Sequence, residues 1–196
     1  MIYNSALKNN TQYLRGYPIT NRFVINDNIG FKRNLVVEGY HENFNLSDCF
    51  YCEPPYPSGL KIFDERSGER TKSYSDFCGQ FANFWDVVGS RPKFAVASKQ
   101  LLKSLPKPDI QVQMRLNANI ETLSCWNAEA PNNLTSDQMC YYLGTKYNCL
   151  GDPTCGYGNS VISFIKARKT NTFVASDYDG RCISVLKMRL ENENLP

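Results

Sequence analysis

Histidine is nearly absent: the 196-residue chain has one, His41. A Ser-His-Asp or Cys-His site needs an imidazole base. His41 sits in the polar run Tyr40-His41-Glu42-Asn43, and no Gly-X-Ser-X-Gly turn accompanies it, so it reads as a surface histidine and that chemistry is not expected. No Gly-X-X-X-X-Gly-Lys or Gly-X-Gly-X-X-Gly stretch is present, which removes the common phosphate-cradling loops. No apolar run approaches the ~20 residues that a membrane-spanning helix needs. Residues 1–20 also lack a signal-peptide core, because Asn4, Lys8, Asn9, Asn10 and Arg15 interrupt every apolar stretch. A surplus of one charge is missing too. The 22 Lys and Arg against 19 Asp and Glu leave +3, too mild to imply nucleic acid.

Cysteine, in contrast, is abundant. Cys49, Cys52, Cys78, Cys125, Cys140, Cys149, Cys155 and Cys182 make eight, an even number that reads as a disulfide framework in an oxidising compartment. The sequons at Asn9, Asn45 and Asn133 point the same way. Together they predict a secreted glycoprotein whose leader has been removed. Cys49-Phe50-Tyr51-Cys52 has the spacing of a zinc knuckle, but no second knuckle follows, and structural bridges are the better account. Residues 1–120 hold three cysteines and residues 121–196 hold five, so full oxidation requires a bridge across residue 120. The 12 Tyr, 11 Phe and 2 Trp favour a pleated, half-buried surface.

Along the chain, Arg22–Ile25 and Asn34–Glu38 are β-branched runs separated by turn residues. Glu53-Pro54-Pro55-Tyr56-Pro57-Ser58-Gly59 is a stiff loop, and Leu60–Phe63 a strand. Ile110, Val112, Met114 and Leu116 alternate with Gln111, Gln113 and Arg115, which predicts a strand with one wet face. Thr135 followed by Gln138 is a capping box, and Met139, Tyr142 and Leu143 recur at helical spacing, giving one short helix over 136–144. Val161–Ala167, Thr172–Ser176 and Ile183–Leu190 read as strands.

Several of these features resemble a CUB domain over residues 20–120: a cysteine before Leu60-Lys61-Ile62-Phe63-Asp64, the Phe77-Cys78-Gly79 triplet, and the hairpin from Ser98 to Leu116. Cys149-Leu150-Gly151-Asp152-Pro153-Thr154-Cys155 and Cys182-Ile183-Ser184-Val185-Leu186 are similar to segments of a PAN/apple module. The resemblance implies a mainly β fold: a CUB-like antiparallel sandwich (1–120), then a smaller disulfide-rich α+β domain with one short helix (121–196). It implies a bridge from Cys78 to Cys49 or Cys52, and a calcium site at Glu38 and Asp48. The family's third carboxylate has no counterpart in Asn117-Ala118-Asn119, so no cofactor is expected beyond a weak calcium site.

The expected function is therefore non-enzymatic recognition of an extracellular protein or glycan, with self-assembly allowed and no nucleic acid or membrane span. A secreted effector or inhibitor is the alternative, and a carboxylate-dependent hydrolase a further one. Candidate contacts are the loop aromatics Tyr56, Phe84, Trp85 and Tyr157, since Tyr and Trp dominate interfaces. Lys99, Lys103 and Lys107 belong to a basic stretch that could steer an anionic partner.

Overall fold

The computed structural model describes residues 34–36, 42–59, 73–177 and 180–193. Its centre is a sheet of eight strands: β1 (Asn34–Val36), β2 (Cys49–Cys52), β3 (Lys93–Val96), β4 (Ile110–Leu116), β5 (Asn119–Trp126), β6 (Leu134–Thr135), β7 (Cys149–Asp152) and β8 (Thr172–Ala175). Their spatial order is β1-β8-β7-β2-β3-β5-β4-β6. The first five in that order run parallel, β5 is antiparallel to both its neighbours, and β6 pairs parallel with β4. One sheet thus takes strands from both sides of residue 120.

Parallel strands need long crossovers, and helices supply them. α1 (Tyr74–Val87) joins β2 to β3, the short α2 (Lys99–Leu102) follows β3, and α3 (Ser136–Lys146) precedes β7. α4 (Asn159–Ala167) joins β7 to β8, and α5 (Gly180–Asn192) follows β8. The period-2 alternation of β2 sorts its side chains between two cores. Cys49 and Tyr51 face the core of α3, α4 and α5, with Leu143, Phe164, Leu186 and Leu190. Phe50 and Cys52 face the core of α1 and α2, with Phe81, Phe84, Trp85 and Leu101. A central parallel strand is covered on both sides, so all four residues of β2 and of β3 are buried.

The sandwich expectation is therefore corrected to a mixed α/β sheet with helices on both faces. The Phe77-Cys78-Gly79 triplet belongs to α1, and so do Phe84 and Trp85, which were expected in a loop; the helix is started by Ser73, whose Oγ accepts the Asp76 N–H. The runs 161–167 and 183–190 are helices, not strands. Their buried sets, Val161, Phe164 and Ile165 in one and Ile183, Leu186 and Leu190 in the other, have helical spacing. The alternating run 110–116 is β4 over the same bounds, and the capping box at Thr135 and Gln138 is formed with both bonds. Arg22–Ile25 and Leu60–Phe63 lie outside the described residues.

The disulfide framework is corrected as well. All eight cysteines are free thiols, seven of them buried and Cys149 partly so. Seven of them, all but Cys182, are divided between the two cores, where they fill space as small apolar side chains. Burial pushes the thiols of Cys49, Cys52, Cys140 and Cys155 well above their ordinary range, which keeps them protonated and inert. Gly144 sets the packing of α3 on α4: a Cβ there would stand 2.3 Å from the Phe164 carbonyl oxygen and 2.7 Å from Ala167 Cβ. Asn171 fastens the same contact, donating from Nδ2 to the carbonyls of Gly144 and Phe164 at 2.8 and 2.9 Å.

Candidate active site

In an open parallel sheet the place where the chain order reverses is where two neighbouring crossovers leave in opposite directions, and a crevice opens at the carboxyl ends of those strands. Here β2 continues to β3 on one side, while its other neighbour, β7, continues to β8 on the other. A cavity of about 390 Å³ occupies that point. Its walls come from the end of β2 (Tyr51, Glu53), the end of β7 (Asp152, Thr154), and the first residues of α3 and α4 (Ser136, Asp137, Asn159, Ser160). The β4 end adds Arg115 and Leu116.

The loop Glu53-Pro54-Pro55-Tyr56 ends β2, since consecutive prolines have no N–H to give a sheet. It is held at several points. The Glu53 N–H donates to Thr154 Oγ1 at 3.1 Å, and the Tyr74 hydroxyl donates to the Pro55 carbonyl at 2.9 Å. The Tyr56 hydroxyl donates to Glu121 Oε2 at 3.3 Å, and the residue stays 41% exposed. The Glu53 side chain turns into the cavity, where its Oε1 accepts from the Tyr51 hydroxyl at 2.6 Å and from the Ser136 hydroxyl.

Across the crevice Asp152 is fully enclosed. Its Oδ1 accepts the Thr154 N–H at 3.0 Å and its Oδ2 accepts the Ser160 hydroxyl. Burial outweighs these bonds and lifts its carboxyl to about 7. The turn that follows, Cys155-Gly156-Tyr157-Gly158, takes the chain from β7 into α4 with φ of +52° at Gly156 and +88° at Gly158. A Cβ on Gly158 would meet Leu186 Cδ1 at 2.2 Å, so the turn requires glycine for both its dihedral and its closeness to α5. Asp177, past the end of β8, accepts the Gly156 N–H on Oδ2 at 2.8 Å. The turn shares its first two glycines and an acid about 20 residues on with the nucleotide-binding turn of doubly wound sheets, while Val161 stands at the position of that motif's third glycine.

The residues singled out in the sequence are not gathered at one place. Phe84 and Trp85 are buried. Trp85 stacks on Phe81 at 5.3 Å and meets Trp126 edge-on at 5.0 Å, so apolar burial claims both residues. Tyr56 is exposed in the loop after Glu53, and Tyr157 is exposed in the glycine turn. Lys99, Lys103 and Lys107 are exposed. Lys99 follows the carboxyl end of β3, on the crevice edge, whereas Lys107 follows Pro106, whose carbonyl accepts the Trp126 indole N–H near the opposite edge. Asp48 gives its carboxylate to the N–H groups of Asn148 and Cys149, both at 2.9 Å. Asn45 and Asn133 are exposed, and Glu38, His41 and Asn9 lie outside the described residues. No group of three or more metal-ligating side chains occurs among the described residues.

Sequence reasoning missed Glu53, Asp152, Asp177 and the two glycines. A signal was there: Cys49–Cys52 and Cys149–Gly151 are short apolar runs, the first followed by Glu53-Pro54-Pro55 and the second by Asp152 and then Gly156-Tyr157-Gly158 before an amphipathic helix.

No protein-family profile and no curated protein sequence matches the chain. Solved structures do share the fold. M1.HpyAVI superposes with a TM-score of 0.52 at 12% identity, over 76% of this chain and 92% of its own. Its complex with SAM gives 0.53 at 11%, over 76% and 93%. A Thermus thermophilus protein described as a DNA modification methylase gives 0.50 at 12%, over 74% and 86%. At such identities the likeness is one of fold. It replaces the CUB and PAN/apple resemblances, and what was drawn from them is corrected too. An adhesion module without catalysis, without a cofactor beyond calcium and without nucleic acid loses its structural basis.

Proposed function

We propose that this chain is a SAM-dependent methyltransferase acting on an exocyclic amine of a DNA base. The observation that carries the reading is the placing of Glu53 and Asp152 on opposite walls of the switch-point crevice, beside a Gly-X-Gly turn. The chemistry of the walls suits S-adenosylmethionine, a zwitterion with an added sulfonium charge. Asp137 and Asp152 offer negative charge to its two cationic centres, and the N-termini of α3 and α4 offer N–H groups to its carboxylate. Asp177 stands where an acid takes ribose hydroxyls.

When bound there, SAM supplies an electrophilic methyl group on sulfur. The chain's own part is to present an acceptor. As the N–C bond formed, the sulfonium S–C bond would break with its electron pair left on the departing thioether sulfur. The acceptor amine would pass its surplus proton to the Glu53 carboxylate, whose oxygen meets the N–H and orients the nitrogen lone pair. Methylation at a ring carbon calls instead for a thiol nucleophile, and no cysteine lines the crevice. A base inside a duplex cannot reach such a site without leaving the stack. The exposed ring of Tyr56, in the loop after Glu53, provides a face for the extruded base. Arg115 adds positive charge at the crevice for the phosphates.

Incubation of the protein with methyl-tritiated SAM and an oligodeoxynucleotide pool containing all four bases tests this. Label is expected in the DNA and, after hydrolysis to nucleosides, in an N-methylated base. Label at cytosine C5, or none in the DNA, would count against the reading.

A further inference from the structure

We propose that Tyr51 and Ser136 are positioning residues that fix which oxygen of Glu53 meets the acceptor. This rests on the reading of Glu53 as the acceptor-facing carboxylate. The two hydroxyls come from different elements. Tyr51 is in β2, with its ring buried in the core of α3 to α5. Ser136 is the first residue of α3, directly after the capping residue Thr135. Both converge on the same atom, Glu53 Oε1.

A hydroxyl has one proton to donate. With both protons directed at Oε1, the 3.1 Å approach of Tyr51 OH to Ser136 Oγ is a contact between two acceptors rather than a bond. Such an approach is tolerable because the carboxylate charge draws both protons. Oε1 is therefore saturated, while Oε2 has no hydrogen-bond partner among the described residues and is the atom left for an incoming N–H. The Glu53 backbone is fixed independently by its N–H bond to Thr154 Oγ1. Backbone and carboxylate are held from opposite walls, so rotation about the side-chain bonds is removed before substrate arrives. A freely rotating glutamate would present Oε2 only part of the time, and loss of geometry at this scale lowers turnover more than binding.

The test uses Tyr51→Phe, Ser136→Ala, Ser136→Thr and the Tyr51→Phe/Ser136→Ala pair in the full chain. Methyl transfer to the oligodeoxynucleotide pool is followed by kinetics, SAM affinity by calorimetry and folding by thermal melts. Alanine is well tolerated at the first position of a helix, so Ser136→Ala is expected to fold normally. Each single loss of a hydroxyl is expected to lower kcat about tenfold, and the pair roughly a hundredfold. KM for DNA and the Kd for SAM should stay within about threefold of the parent, and Ser136→Thr, which restores the hydroxyl, should regain most of the lost kcat. An unchanged kcat in both single variants, while Glu53→Gln is inactive, overturns the positioning role and leaves the methyltransferase reading intact. A fall in kcat matched by loss of folding, or not rescued by threonine, also overturns it. If the parent itself transfers no methyl group, the reading fails and the positioning role fails with it.

Discussion

Glu53→Gln will fold as the parent does, bind SAM, and lose most of its methyl transfer. Glutamine keeps the length of the side chain and an Oε1 that accepts from Tyr51 and Ser136 as before. What changes is the other arm: an amide NH₂ replaces Oε2, and a donor there opposes the N–H of the acceptor. Removing a positioned carboxylate of this kind lowers kcat by roughly 10²–10⁴-fold. Steady-state transfer of tritium to DNA, with melts run alongside, measures it. Activity within a few-fold of the parent would move the acceptor away from Glu53.

Asp152→Asn will stabilise the protein, and by more at higher pH. The Asp152 carboxyl is lifted to about 7 by burial, whereas in the unfolded chain it titrates near its ordinary 3.8. Below the lower value both states are protonated and the residue is neutral in its effect. Between the two the unfolded state ionises first, and stability falls as pH rises. Above about 7 the folded state carries the whole penalty, on the order of 4 kcal/mol at about 1.4 kcal/mol per pH unit. Asparagine has no charge to bury, and its Oδ1 still accepts the Thr154 N–H. Denaturant unfolding of parent and variant from about pH 4 to pH 8 should show a difference that grows up to about pH 7 and then levels. A constant difference would contradict the burial of an ionising Asp152. That the chain keeps an acid there, at a cost in stability, fits a group that faces a cationic donor.

The parts legible in the sequence are those whose pattern reports one local rule. β4 alternates because one face is wet, and the start of α3 is a reciprocal cap. β8 stands out as a β-branched run before Ser176-Asp177. The parallel core was hidden for a physical reason: β2 and β3 are buried on both faces and show no alternation. α4 and α5 carry Val161, Ile162, Ile165, Ile183 and Val185, whose branched side chains favour strands in isolation, and tertiary packing overrides that preference. The cysteines misled most. An even count suggests bridges, but a buried thiol is also a small apolar group, and only packing distinguishes the two. At the site, Glu53 and Asp152 are 99 residues apart in sequence, and nothing local shows that β2 and β7 are neighbours.

Titration calorimetry of SAM into the full chain tests the central claim most directly, because it needs neither the DNA sequence nor turnover. One SAM is expected to bind per chain, with an affinity that falls when Asp177 is replaced by alanine. No heat of binding to the folded parent, or an affinity indifferent to Asp177, would contradict the assignment of the crevice as a methyl-donor site.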